Sequence, residues 1–124
     1  MNTADDAKPQ VLLMEDDHGL RGLMRRLLLS WKFSLDEVTS VTEGRTLLNA
    51  GKTYDLAICD YRLEDGTGVE FAQWAATKAP SLPILLISGF QPTDRRGCQG
   101  YLQKPFTAEA LREAIDQLLS ISRT

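Results

Sequence analysis

Three short apolar runs end abruptly in side chains that carry a charge or a hydroxyl, and this pattern constrains the fold more than any other feature of the chain. Val11–Met14 stops at Glu15, Asp16 and Asp17; Leu56–Cys59 stops at Asp60; Ile84–Ile87 stops at Ser88 and Gly89. Runs this short, without period-two alternation, read as strands buried on both faces. Between them lie segments of helical spacing. Leu20, Leu23, Leu27, Leu28 and Trp31 recur as one stripe, with Arg21, Arg25 and Arg26 on other faces, and Asp17 is placed to cap the helix they form. Gly19 and Gly22 oppose that helix by about 1 kcal/mol each relative to alanine.

The rest of the chain continues the alternation. A weak strand is expected within residues 34–39, and Ser40 with Glu43 forms an S-x-x-E capping box opening a short helix to about Asn49, before Gly51. Residues 61–68 read as a loop, and Val69–Ala79 as a helix stopped before Pro80. A short strand is expected around Tyr101–Gln103. Thr107 then caps a last helix with the stripe Leu111, Ala114, Ile115, Leu118 and Leu119. Five strands alternating with helices imply an α/β fold with a doubly wound, five-stranded parallel sheet.

With 124 residues the chain is the size of one domain, expected over residues 10–122 behind a flexible segment at 1–9. The net charge of −3 offers no basic face, so direct nucleic-acid contact is not expected. No apolar run approaches the ~20 residues of a membrane span, and the start, MNTADDAKPQ, is polar; a cytoplasmic location without membrane contact is the expectation. Cys59 and Cys98 form no CxxC and lack partners for zinc, so they read as free thiols.

In an open parallel sheet the functional crevice lies beyond the carboxyl ends of the strands. Glu15, Asp16 and Asp60 would converge there, with Ser88 and Lys104 beside them. Packed carboxylates repel unless a cation joins them, and Mg2+ suits oxygen ligands at a site that keeps waters and awaits a phosphate. Lys104 and Ser88 supply the cationic and hydroxyl donors that phosphoryl transfer needs. Asp60 is the better nucleophile, since it stands alone at its strand end, whereas the adjacent Glu15 and Asp16 suit metal and water.

The segments LLMEDD at Leu12–Asp17, YDLAICDYRLEDGTG at Tyr54–Gly68, PILLISG at Pro83–Gly89 and GYLQKPF at Gly100–Phe106, taken in order, resemble the response-regulator receiver family of two-component signalling. The resemblance implies a flavodoxin-like fold. It implies that Glu15, Asp16 and Asp60 bind Mg2+ with the backbone carbonyl of Arg62, and that Asp60 is phosphorylated by a histidine kinase or histidine phosphotransfer protein in a phosphorelay. It further implies that Ser88 and Tyr101 form a switch, that Lys104 pairs with the phosphoryl group, and that the Lys104–Pro105 peptide is cis. A downstream protein partner, a monomer or weak dimer, and no turnover of external substrates are expected, either in a stand-alone regulator or in a receiver from a larger hybrid protein.

Two departures stand out. Glu64 occupies a position where the family commonly has proline, which removes a stiffener from the loop after Asp60. Only eleven residues separate Ser88 from Gly100, where a parallel crossover normally needs a dozen or more, and Phe90–Arg96 supplies no apolar stripe. The family's fourth helix is therefore expected to be shortened or absent. Two other functions fit the sequence less well. An aspartate-nucleophile phosphatase would resemble a D-x-D pattern, but Tyr61 and Arg62 follow Asp60; a phosphorylation-independent binding module would not need the full set of Glu15, Asp16, Asp60, Ser88 and Lys104. His18, Arg95 and Arg96 read as solvated residues, and Phe71 and Trp74 as packing residues.

Overall fold

The computed structural model describes residues 8–123, with side chains described as far as residue 120. Of the expected N-terminal segment, residues 1–7 lie outside the described residues. The strands are β1 (Gln10–Met14), β2 (Ser34–Val38), β3 (Leu56–Asp60), β4 (Arg62–Leu63), β5 (Gly66–Thr67), β6 (Ile84–Ser88) and β7 (Gly100–Gln103). The helices are α1 (His18–Ser30), α2 (Val41–Asn49), α3 (Gly68–Lys78) and α4 (Ala108–Arg123).

Five strands form one parallel sheet in the order β2-β1-β3-β6-β7. Alternation within each apolar run assigns successive side chains to opposite layers. Val11 and Leu13 of β1, with Leu85 and Ile87 of β6, pack under α1 and α4 against Met24, Leu28, Leu111 and Ile115. Leu12 and Met14, with Ala57 and Cys59, face α2 and α3, where Leu48, Phe71, Ala72 and Ala75 cover them. Both faces are thus covered, which is why these strands have no polar alternation.

Local chemistry sets the helix ends. Asp17 caps α1, its Oδ1 accepting the Leu20 N–H at 2.8 Å. The α1 stripe differs from the expected one: Leu23 is 44% exposed and Met24 is buried. Leu20, Met24 and Leu28 repeat at i, i+4, i+8, and this row meets the sheet while Leu23 is rotated outward. Ser40 Oγ accepts the Glu43 N–H at 3.0 Å, but Glu43 returns its bond to the Thr39 N–H rather than to that of Ser40. The capping box is displaced by one residue on that side. Thr67 caps α3, so the helix begins at Gly68, one residue earlier than expected. The expected loop after β3 contains an antiparallel pair, Arg62 opposite Thr67 and Leu63 opposite Gly66.

No helix spans residues 89–99. Gly97 has φ +88°, and a Cβ there would come within 2.8 Å of the Ala72 carbonyl carbon and oxygen. The loop backbone therefore lies directly on the α3 backbone, closer than the 8–10 Å separation of helix axes allows a packed helix to lie. Asp94 accepts from the Arg96 backbone and guanidinium, and Gln99 ties the far end to Ile84 at both its amide nitrogen and side chain. Gly97→Ala introduces both a strained backbone and a collision with α3. It should lower stability by at least about 1–3 kcal/mol, read as a fall in the urea midpoint; an unchanged midpoint would contradict this packing.

Candidate functional site

The carboxyl ends of β1, β3 and β6 bring Glu15, Asp60 and Ser88 together because the parallel register aligns them: Met14 lies opposite Cys59, and Asp60 opposite Ile87. Glu15 and Ser88 are each 1% exposed and Asp60 is 7% exposed. Asp16 is exposed. Ligand oxygens of Glu15, Asp16 and Asp60 all lie within 4.8 Å of one another. Lys104 enters from the segment after β7. Its backbone N–H donates to the Ser88 carbonyl at 2.8 Å, and its Nζ lies 2.9 Å from Asp60 Oδ1 and 3.6 Å from Glu15 Oε1. The Lys104–Pro105 peptide is cis, as expected.

Burial dominates the electrostatics of Glu15, whose pKa is pushed up to about 7 from 4.5; the neighbouring Asp60 charge pushes the same way, and the Asp17 N–H and Lys104 oppose it. Burial works to lower the Lys104 pKa, but its bond to Asp60 and the field of Glu15 prevail, so it is raised and the ammonium is retained. Asp60 Oδ1 also accepts the Tyr61 N–H at 3.0 Å. Glu15 Oε2 accepts the Asp17 N–H, while the buried Oε1 has no hydrogen-bond partner. A buried carboxylate oxygen with no hydrogen bond, only a 3.6 Å ion pair to Lys104, beside two further carboxylates is the arrangement a hard divalent cation would satisfy.

Asp60, Tyr61, Arg62, Ser88, Phe90 and Lys104 surround a cleft of about 160 Å³. Space beside Gly89 is open: a Cβ there would meet nothing within 4 Å. The Phe90 ring meets Tyr61 edge-on at 4.9 Å and lies under the Arg62 guanidinium at 5.8 Å, forming one wall. Ser88 Oγ accepts the Phe90 N–H at 3.1 Å, and the Tyr101 hydroxyl donates to the Phe90 carbonyl at 2.7 Å. Half-exposed Tyr101 therefore reaches Ser88 through the backbone of a single residue. Both cysteines are free; burial raises the Cys59 thiol well above its ordinary value and pushes Cys98 up to about 11, so neither is a thiolate at neutral pH.

A model of the response regulator receiver domain matches residues 11–116. The chain belongs to the response regulator receiver family. This receiver domain is 27% identical over 121 residues to the response regulator protein PilR of Pseudomonas aeruginosa, an alignment covering 93% of this chain and 27% of PilR. It thus spans about a quarter of that relative. Among solved structures, a receiver domain protein (CheY-like) from Methanospirillum hungatei superposes with a TM-score of 0.87 at 20% identity, covering 94% of this chain and 98% of that one. The response regulator TrrA of Thermotoga maritima, solved with Mg2+-BeF, superposes with a TM-score of 0.81 at 21% identity over 89% and 98% of the two chains. These likenesses support the flavodoxin-like fold expected from the sequence. Among the described residues no helix is long and apolar enough to cross a membrane.

Of the sequence-predicted residues, Glu15, Asp16, Asp60, Ser88 and Lys104 gather at one place, and Arg62 and Tyr101 lie at its margins. Gly68 was not anticipated. Its N–H donates to the Tyr61 carbonyl, and a Cβ there would stand 2.5 Å from the Asp60 carbonyl oxygen, so the α3 start can pass beneath the aspartate only as glycine. Its place three residues before Phe71 gave no signal beyond that of an ordinary loop glycine.

The Glu15 shift makes a stability prediction. Between about pH 4.5 and 7 the unfolded chain loses this proton while the folded chain keeps it, so rising pH favours unfolding through that window and the penalty is constant above it. In metal-free buffer, Glu15→Gln should gain in melting temperature relative to the parent as pH rises from about 5 to 7.5. A difference that stays constant with pH would contradict the shift.

Proposed function

We propose that this receiver domain is phosphorylated on Asp60 with Mg2+ held by Glu15, Asp16, Asp60 and the Arg62 carbonyl, and that the product alters its affinity for a downstream protein. The observation that carries the reading is Glu15 Oε1, buried without a hydrogen bond and only 3.6 Å from the Lys104 ammonium that also pairs with Asp60: one cation is shared between two buried carboxylates. The Mg2+-BeF complex of the structurally similar TrrA supports the same choice of ion.

The donor is a histidine kinase or histidine phosphotransfer protein. An Asp60 carboxylate oxygen forms a bond to phosphorus, the phosphorus–nitrogen bond of the phosphohistidine breaks, and the imidazole nitrogen leaves with the electron pair and takes a proton. Bound Mg2+ would spread the charge of the equatorial oxygens. Lys104 is placed to move from Asp60 to a phosphoryl oxygen, and the Ser88 hydroxyl, whose oxygen already accepts from Phe90, still has its proton to donate there. Binding at Ser88 pulls on the Phe90 backbone, and Tyr101 is bonded to the same residue. Residues 90–99, together with α4, are the surface a partner reads. The domain assists its own phosphorylation and dephosphorylation and turns over no external substrate. It acts as a monomer or weak dimer, in the cytoplasm, without nucleic-acid contact.

Treatment with acetyl phosphate and Mg2+ should add one phosphoryl mass to the intact protein and none to Asp60→Asn. An adduct of parental yield on the variant would sink the assignment. The wall made by Phe90 and Arg62 restricts the approach of water, and excluding a positioned nucleophile slows hydrolysis. Phe90→Ala and Arg62→Ala should each shorten the acyl-phosphate half-life several-fold, followed by loss of the mass adduct. Unchanged decay in both would remove that role for the wall.

A further inference from the structure

The tip of the loop after Asp60 is fastened to a distant part of the chain by one side chain. Asp65 Oδ1 accepts the Val41 N–H at 2.6 Å, and its Oδ2 accepts the Thr42 N–H at 3.0 Å and the Thr42 hydroxyl at 2.5 Å. These are the first residues of α2, so Asp65 fills orphan donors of a helix from outside it. The Thr42 hydroxyl bond and the two backbone bonds hold the Asp65 carboxyl below the usual carboxylate range. The adjacent Glu64 N–H donates to the Thr39 carbonyl at 3.2 Å, in the same turn.

That turn is itself tied to the site. The Glu15 N–H donates to the Val38 carbonyl at 3.1 Å, so the strand end that carries the buried carboxylate and the turn that receives Asp65 form one unit. The loop's other anchors are the Tyr61 N–H on the Ile87 carbonyl, the Gly68 N–H on the Tyr61 carbonyl and the short β4–β5 ladder. The first two hold its base, the ladder reaches Leu63 and Gly66 beside the tip, and Asp65 joins the Glu64 N–H in fastening the tip to the start of α2. Arg62 lies between base and tip. With Glu64 where a proline would stiffen the chain, the Asp65 clamp adds a side-chain restraint to the backbone bonds of the ladder and of Glu64.

We propose that Asp65 is a positioning residue for the Mg2+ and phosphoryl site, acting through α2 to hold the Arg62 backbone in its ligating conformation. The inference rests on the reading of Glu15, Asp16 and Asp60 as the Mg2+ site. Ser40, whose side chain caps the same helix and hydrogen-bonds to Glu43 rather than to the loop, separates positioning from plain support of α2.

The test compares the parent chain, Asp65→Ala, Asp65→Asn and Ser40→Ala, each shown to be folded by circular dichroism, in Mg2+ titrations followed by calorimetry and in amide exchange of residues 62–66 without metal. Asp65→Ala should weaken Mg2+ binding about tenfold, the loss expected when an outer-shell partner is removed, and should speed exchange at residues 62–66. Asp65→Asn keeps one acceptor oxygen for the Val41 N–H and should recover part of both. Ser40→Ala should leave both at the parental values. Parental Mg2+ affinity in Asp65→Ala, or an equal loss in Ser40→Ala, overturns the positioning role while leaving the site reading intact. A parent chain that takes up no Mg2+ overturns the site reading and this inference with it.

Discussion

The Lys104 ammonium, 2.9 Å from Asp60 and 3.6 Å from Glu15, is the interaction on which the arrangement of this protein depends. Two carboxylates buried at neighbouring strand ends repel each other, and at an effective dielectric near 20 a charge pair about 4 Å apart is worth about 4 kcal/mol. Burial is the main cause that drives Glu15 toward its protonated form, and the repulsion from Asp60, which one cation opposes only in part, adds to it. A second positive charge, the proposed Mg2+, would complete the neutralisation of this cluster. The same lysine is fixed by its backbone to Ser88, so the groups that would meet a phosphoryl oxygen are positioned by one another.

The sheet makes this concentration of charge possible. Parallel register brings the ends of β1, β3 and β6 to one edge, and burial of both faces removes water from beneath them. The close passage of Gly68 under the Asp60 carbonyl lets α3 begin at the site itself. On the far side, a loop pressed onto α3 at Gly97 replaces the helix that the length of the crossover cannot supply. Phe90 joins this loop to the site through its two backbone groups, one bonded to Ser88 and the other to Tyr101. A receiver built this way has little rigid structure on that side, and displacement of this short loop is the response we propose for phosphorylation.

The strands and the convergence of charges were legible because each rests on a local signal: an apolar run too short for a helix, closed by a polar residue at a fixed place. The missing helix was legible from the eleven residues between Ser88 and Gly100 together with the lack of an apolar stripe in Phe90–Arg96. Other features of the chain carry no such local signal. The α1 stripe was read from Leu23 because leucine is the stronger apolar signal, whereas the face that meets the sheet is set by the Leu20, Met24, Leu28 row. The β4–β5 ladder was invisible in a segment whose pairs are two residues long. Gly68 and the clamp of Asp65 on Val41 and Thr42 are tertiary contacts, the latter across more than twenty residues of sequence, and no local pattern encodes either.

Phosphoryl chemistry at Asp60 is tested most directly by amide shifts of the labelled domain on addition of Mg2+ with beryllofluoride, which stands in for a phosphoryl group on an aspartate. The chemistry at Asp60 predicts large, mutually dependent shifts at Glu15, Asp16, Asp60, Arg62, Ser88 and Lys104, spreading through Phe90 into residues 90–99 and to Tyr101. Shifts that occur without Mg2+, that leave Ser88 and Lys104 unmoved, or that are absent altogether would contradict it.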